Sequence, residues 1–184
     1  MPGDKVYWYV LLFRTGAEER LLEKLKKRLG GKCVPFVPMK TCVFRRQGKK
    51  SLFQKPIFPG YLFIESDKPA LEFRQYIFHV VYREKEAYRF LYYGDREDIA
   101  MREGERVALS KLLGNERKLD ISVGFKEGDS VKVISGPLAG NESKIVRVNK
   151  SRNEAVISVR MFNSVVPVSV GIEFIEKIAE APVQ

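Results

Sequence analysis

The sequence predicts an α+β chain in two parts: an N-terminal antiparallel sheet flanked by helices, then a small β-barrel. Three observations predict it. Aromatic and aliphatic runs of strand length alternate with helical patterns over residues 1–113. A cluster of turn and charged residues, Gly114-Asn115-Glu116-Arg117-Lys118, then breaks the pattern. Beyond it come only short β-branched runs separated by turn signals, the texture of a small barrel.

Val6-Tyr7-Trp8-Tyr9-Val10-Leu11-Leu12-Phe13 has the length and composition of a strand. Trp8 and Tyr9 alternate across it, so one of them is expected in the core. Thr15-Gly16-Ala17-Glu18 has the form of a capping box, with Thr15 as N-cap and Glu18 closing it. In the helix that follows, Leu21, Leu22, Leu25 and Leu29 share one face, and Gly30-Gly31 stops it. Residues 33–39 contain Pro35 and Pro38 and read as an edge or irregular strand. Residues 41–45 and 51–54 pair as a hairpin across Gln47-Gly48-Lys49, with Arg45, Arg46, Lys49, Lys50 and Lys55 at or near its tip.

Phe58-Pro59-Gly60-Tyr61-Leu62-Phe63-Ile64 is a turn leading into a strong strand. Asp67-Lys68-Pro69 reads as a helix start capped by Asp67, with Leu71, Phe73, Tyr76 and Ile77 on its buried side. A strand at 80–82 and a helix at 105–113 complete the first part. In the second part, strands are expected at 131–134, 143–148, 155–159 and 165–170.

Charge narrows the function. The formal balance is +10, from 33 Lys and Arg against 23 Asp and Glu. No acid occurs between Glu23 and Glu65, an interval rich in Lys and Arg. That surplus favours a polyanionic partner. The basic hairpin tip suits phosphate contacts, which are sequence-independent and salt-sensitive. Its plainer reading is a solvated charged turn.

Enzymatic chemistry finds little support. The two cysteines, Cys33 and Cys42, and the single His79 do not make a zinc set. There is no Walker A motif and no nucleophile in a recognised triad setting, so no catalytic residue, cofactor or metal is expected. The cysteines read as small buried hydrophobes or bystanders, and His79 as packed. No apolar run is long enough to cross a bilayer and the N-terminus lacks a secretion signal, so the expected location is the cytoplasm, with no membrane partner.

Two stretches carry a resemblance. Trp8-Tyr9-Val10, the Glu18 helix and Phe58-Pro59-Gly60-Tyr61-Leu62-Phe63-Ile64 resemble the N-terminal (NGN) domain of NusG-family transcription factors. The pattern from Phe125 through Gly128, Asp129, Val131, Val133 and Gly136-Pro137-Leu138-Ala139-Gly140 is similar to a KOW motif. It is followed by Val168 and Glu173-Phe174-Ile175-Glu176-Lys177-Ile178. The order implies an NGN domain at 1–113, a linker at 114–124 and a five-stranded KOW barrel at 125–184. Residues 119–125 and 136–143 look most like the LoaP-type specialised antiterminators.

What the resemblance implies is specific. Phe58, Pro59 and Tyr61 match an apolar patch that grips the clamp helices of the largest RNA polymerase subunit. The basic hairpin, Arg45, Arg46, Lys49 and Lys50, matches a segment near the upstream or non-template DNA. Leu138, Met161 and Phe162 match loop residues with which the barrel contacts termination factor Rho or a ribosomal protein. Asn141 and Ser164 depart from that pattern, and Lys68-Pro69-Ala70 stands where some paralogues carry a second polymerase contact. The LoaP-type likeness implies a nascent RNA hairpin as ligand, with Lys132, Lys144, Arg147, Lys150, Arg152 and Arg160 as a phosphate-binding face and Asn149 or Asn153 reading RNA edges. Their plainer reading is the charged solvent side of half-buried strands. The whole implies a monomeric antitermination factor, set against a housekeeping pausing or termination-coupling factor and a ribosome-associated RNA-binding protein.

Overall fold

The computed structural model describes residues 5–31, 33–46, 49–81, 84–85, 87–128 and 130–175. Gln47, Gly48, Tyr82, Asp129, Glu176, Lys177, Ile178 and the side chains of Arg45 and Arg46 lie outside that description. In chain order the elements are β1 (Tyr7–Phe13), α1 (Glu18–Leu29), β2 (Cys33–Phe36), β3 (Met39–Arg46), β4 (Lys49–Pro56), β5 (Tyr61–Ser66), α2 (Ala70–Val81), β6 (Ala87–Phe90) and α3 (Glu103–Leu113). Then follow β7 (Lys118–Leu119), β8 (Ser122–Glu127), β9 (Ser130–Ser135), β10 (Ile145–Asn149), β11 (Glu154–Met161) and β12 (Ser164–Phe174).

The N-terminal sheet has the order β2-β5-β1-β6 and is antiparallel throughout. The proline-bearing β2 sits at its edge, where a missing N–H costs no ladder bond. Both faces of the sheet are covered. Tyr9, Leu11 and Phe13 pack with Leu21, Leu25 and Leu29 of α1 and with Phe73 and Ile77 of α2. Trp8 and Val10 face the other way, onto Phe36, Phe63 and the leucines of α3. Trp8 and Tyr9 are therefore both core, where the pattern predicted one; alternation assigns faces, and a second layer buries the other face too.

Three local expectations change. The capping box does not form: α1 starts at Glu18 with no side-chain cap, and the Glu18 carboxylate instead accepts the Gly60 N–H at 3.3 Å. The acidic first turn and basic last turn of α1 still suit its dipole. Val80 and Val81, expected in a strand, are helical: α2 continues through Val81, and a strand lies at 87–90. Burial of Phe73 and Ile77, one turn apart on one face, outweighs the β-propensity of Val80-Val81. Helical hydrogen bonding begins at the Pro69 carbonyl, Leu71 is exposed, and His79 is exposed with its ring edge-on to Phe78.

Buried Glu84 ties α1 to the end of α2 by accepting from Lys24 at 3.0 Å and from Arg28.

The five-stranded sheet of the second part runs β10-β11-β12-β8-β9 and curls around Val133, Leu138, Ala155, Ile157, Val168, Val170 and Ile172. The Phe125 strand, β8, is parallel to the C-terminal part of β12 and carries β9 on its other side. Gly136 enables a close crossing: its φ is +92°, and a Cβ there would lie 2.6 Å from the Ser122 Cα.

Residues 114–124 are ordered against the N-terminal domain. β7 pairs in parallel with β3, Thr41 donates to Asp120 at 2.8 Å, and Arg117 bonds Glu65 at 2.8 Å while lying over the Phe36 ring. The apolar interior under α3 runs on without a break into the barrel.

Candidate functional site

The Phe58–Tyr61 turn is built tightly. Gly60 has φ +80°, and a Cβ there would sit 3.0 Å from the Phe13 carbonyl oxygen and the Thr15 hydroxyl. Its own carbonyl accepts the Phe13 N–H at 2.9 Å, and Tyr61 N–H donates to Phe58 at 3.1 Å. This geometry turns Phe58 inward against Phe63, with ring centres 5.8 Å apart, and leaves it 2% exposed. Of the three residues matched to the apolar patch, Phe58 is therefore the buried one. Pro59 is exposed, and Tyr61 is half-buried, stacked on Phe58 at 6.2 Å. Tyr61 also borders a 310 Å³ cavity walled by Leu91 and Tyr92 on one side and Met161, Phe162 and Val166 on the other.

That cavity lies at the junction of the two domains. The Phe162 ring stacks on Tyr93 at 4.8 Å, and the Phe162 N–H donates to Glu105 of α3 at 3.0 Å. Tyr93 donates its hydroxyl proton to the same carboxylate, accepts from the Arg102 N–H at 2.9 Å, and lies under the Arg102 guanidinium. Burial and the Glu105 carboxylate push the Tyr93 phenol well above its usual range, so it stays a protonated donor. Leu138, Met161 and Phe162, expected as exposed loop contacts, are all buried: Leu138 in the barrel and Phe162 on the other domain. Sequence reasoning missed Tyr93 and Glu105; the pairing joins segments far apart in the chain, and no local pattern announces it.

The basic hairpin forms as expected, with Arg46 opposite Lys49 and Arg45 opposite Lys50. Lys49, Lys50 and Lys55 are exposed. The hairpin also exposes Phe44 and Leu52, which charge counting overlooked. It leans on the barrel. Lys40 donates to the Ser169 carbonyl, Lys50 pairs with Glu173 at 2.7 Å, and Gly171 lets the Thr41 carbonyl approach closely.

The six cations predicted on the barrel divide. Lys132, Arg147, Lys150, Arg152 and Arg160 are exposed, and Lys144 is half-buried. Lys144 and Arg160 line a 270 Å³ groove against Glu105, Ala108 and Leu112 of α3. Asn149 accepts from the Arg152 N–H and the Ser151 hydroxyl, which occupies its side-chain oxygen in a turn. Asn153 sits at φ +51° and faces Lys40 and Lys55 across a narrow groove. Cys33 is buried and close to the Ser66 hydroxyl at 3.3 Å; burial pushes its thiol up. No described helix is long and apolar enough to cross a membrane.

Comparison with known proteins agrees with this architecture. A family model described as transcription termination factor nusG matches residues 6–109, and a KOW motif model matches residues 127–158. The transcription termination/antitermination protein NusG of Thermus thermophilus is 30% identical over 89% of this chain and 94% of its own. The Bacillus subtilis protein of the same name is 27% identical over 93% and 98%. A solved structure described as domain interaction in Thermotoga maritima NusG shares the fold at a TM-score of 0.51 and 24% identity, over 91% of this chain and 94% of that one. With an N-terminal sheet sandwiched between helices, a KOW barrel packed beside it, and both models matched in order, this chain belongs to the NusG family of transcription factors.

Proposed function

We propose that the chain is an antitermination factor of the specialised, LoaP-like kind. It holds the clamp helices of RNA polymerase through its N-terminal domain and binds a nascent RNA hairpin through the KOW barrel. One observation carries the choice of ligand. The bulky loop residues Met161 and Phe162 are buried, with Phe162 against the N-terminal domain, while Lys132, Arg147, Lys150 and Arg152 remain in solvent. The barrel thus offers phosphate-binding cations where an apolar docking loop was expected.

On this reading Pro59 and Tyr61 form the exposed edge of the polymerase patch, and Phe58 supports them from below. The hairpin carrying Arg45, Arg46, Lys49 and Lys50 lies toward upstream or non-template DNA. The protein acts as a cytoplasmic monomer.

A second reading, a housekeeping pausing or termination-coupling factor, is favoured by near full-length likeness to proteins named for both termination and antitermination. Transcription in vitro of a template bearing terminators separates the two. Readthrough that requires a target leader sequence supports the specialised factor. A change in pausing or termination that ignores the leader supports the housekeeping one and defeats the proposal.

A further inference from the structure

We infer that the RNA site is shared by both domains, centred on the C-terminal half of β12, and shaped for a stem–loop. The inference rests on the RNA-binding reading above and adds the hairpin β3–β4 to it. Within β12, Ser169 accepts from Lys40, Glu173 pairs with Lys50, and Phe174 lies 5.8 Å from the Lys150 ammonium. Cations of the hairpin and of the barrel therefore meet along one strand.

Register extends the surface. Arg147 stands opposite Val156, which stands opposite Ser169, and directly opposed residues project to the same face. Arg147 is thus on the face that carries the Ser169 side chain, and Ser169 lines one groove with Lys40. Lys40, Lys55 and Asn153 line a 140 Å³ groove between hairpin and barrel, with Glu154 beside them. Lys40, Lys55 and Arg147 stand with Glu154 on this side, and Lys150 and Arg152 of the adjoining turn are exposed, a surface of net positive sign; Lys50 projects from the other face of the hairpin, where it pairs with Glu173.

The aromatics choose the form of nucleic acid. Alternation along β3 and the Cys42–Phe53 register set Lys40, Phe44, Phe53 and Lys55 on one face of the hairpin. Phe44 is 52% exposed, and Phe53 is partly exposed with the Lys55 ammonium 5.1 Å from its ring centre. Exposed rings beside cations stack unpaired bases, whereas a paired stem offers only phosphates and groove edges. An RNA hairpin supplies a stem for the cations and a loop for the rings. Fully paired DNA supplies no unpaired base.

The test uses the full chain and a labelled RNA stem–loop from a target leader, with the same stem lacking its loop and a DNA duplex of that sequence as further probes. Lys40→Ala with Lys55→Ala, and separately Lys150→Ala with Arg152→Ala, are each expected to weaken binding about tenfold. Each pair should also flatten the slope of log affinity against log salt by about 1.5, the effect of losing two phosphate contacts. Lys40→Arg with Lys55→Arg should keep both the affinity and the slope. Phe44→Ala should weaken the stem–loop and leave the loopless stem unchanged. Loss of affinity in the barrel pair alone overturns the shared site and leaves the barrel reading standing. No loss in either pair defeats both. Equal binding of the DNA duplex, or equal loss on both RNA probes for Phe44→Ala, overturns the stem–loop assignment.

Discussion

Replacing Phe162 with Ala should loosen the barrel from the N-terminal domain while leaving each largely folded. The ring is 8% exposed and stacks on Tyr93 across the junction. Burial of a Phe side chain is worth ~1.5–3 kcal/mol, and an aromatic pair adds ~0.5–1.5 kcal/mol. A loss of ~2–4 kcal/mol shifts the packed-to-separated equilibrium by roughly thirty- to several-hundredfold. The Phe162 N–H bond to Glu105 is a backbone bond and survives the substitution. Both residues face the same φ of +49°, so the comparison isolates the ring from backbone strain. Amide exchange and chemical shifts at Tyr93, Arg102 and Glu105 are the readout. Faster exchange confined to these and the facing barrel residues is expected. Unchanged signals there, together with a uniform loss of protection throughout the barrel, would show that the ring belongs to the barrel core and that the junction reasoning is wrong.

Further expectations follow from the packing. Phe73→Ala should cost ~3–5 kcal/mol in thermal or denaturant unfolding, because the ring is fully buried and stacked 3.7 Å from Tyr9; a loss under ~1 kcal/mol contradicts the two-layer core. Gly136→Ala should destabilise by more than ~1 kcal/mol through its positive φ and the 2.6 Å approach to Ser122. Gly104→Ala, in α3 with open space around it, should stabilise by up to ~1 kcal/mol in the same melts. Hydrogen bonds from Lys118 and Thr41 hold the Asp120 carboxyl below its usual value. Its contribution is therefore fully present above the unfolded pKa of ~3.9 and is lost as pH falls through the lowered folded value. Asp120 is largely exposed, so Asp120→Asn should cost less than about 1 kcal/mol at neutral pH, with the difference from the parent shrinking in melts taken at progressively lower pH.

Some of this was legible from the residues alone. The leucine spacing of α1, the edge position of the proline-bearing β2, the basic hairpin and the β-rich second part all rest on local periodicity and turn chemistry. What escaped depended on neighbours distant in the chain. Thr15 and Glu18 satisfy the capping-box pattern, yet Glu18 is taken by Gly60, 42 residues away. Tyr88 and Arg89 alternate poorly, so β6 is recognised only by its pairing with β1. The Pro-Gly pair after Phe58 shows a turn, but the inward direction of the ring follows from the Phe13–Gly60 contact. Residues 114–124 have a linker's composition, and their order comes from Arg117 and Asp120 reaching β5 and β3.

The central claim is that this chain rides on RNA polymerase through its N-terminal domain, and direct titration tests it most plainly. Labelled protein should bind core polymerase saturably. Binding should weaken at least tenfold for Tyr61→Ala and be lost with polymerase lacking its clamp helices, with the variant's melting temperature near that of the parent. Absence of saturable binding, or equal binding to polymerase without those helices, would contradict the account.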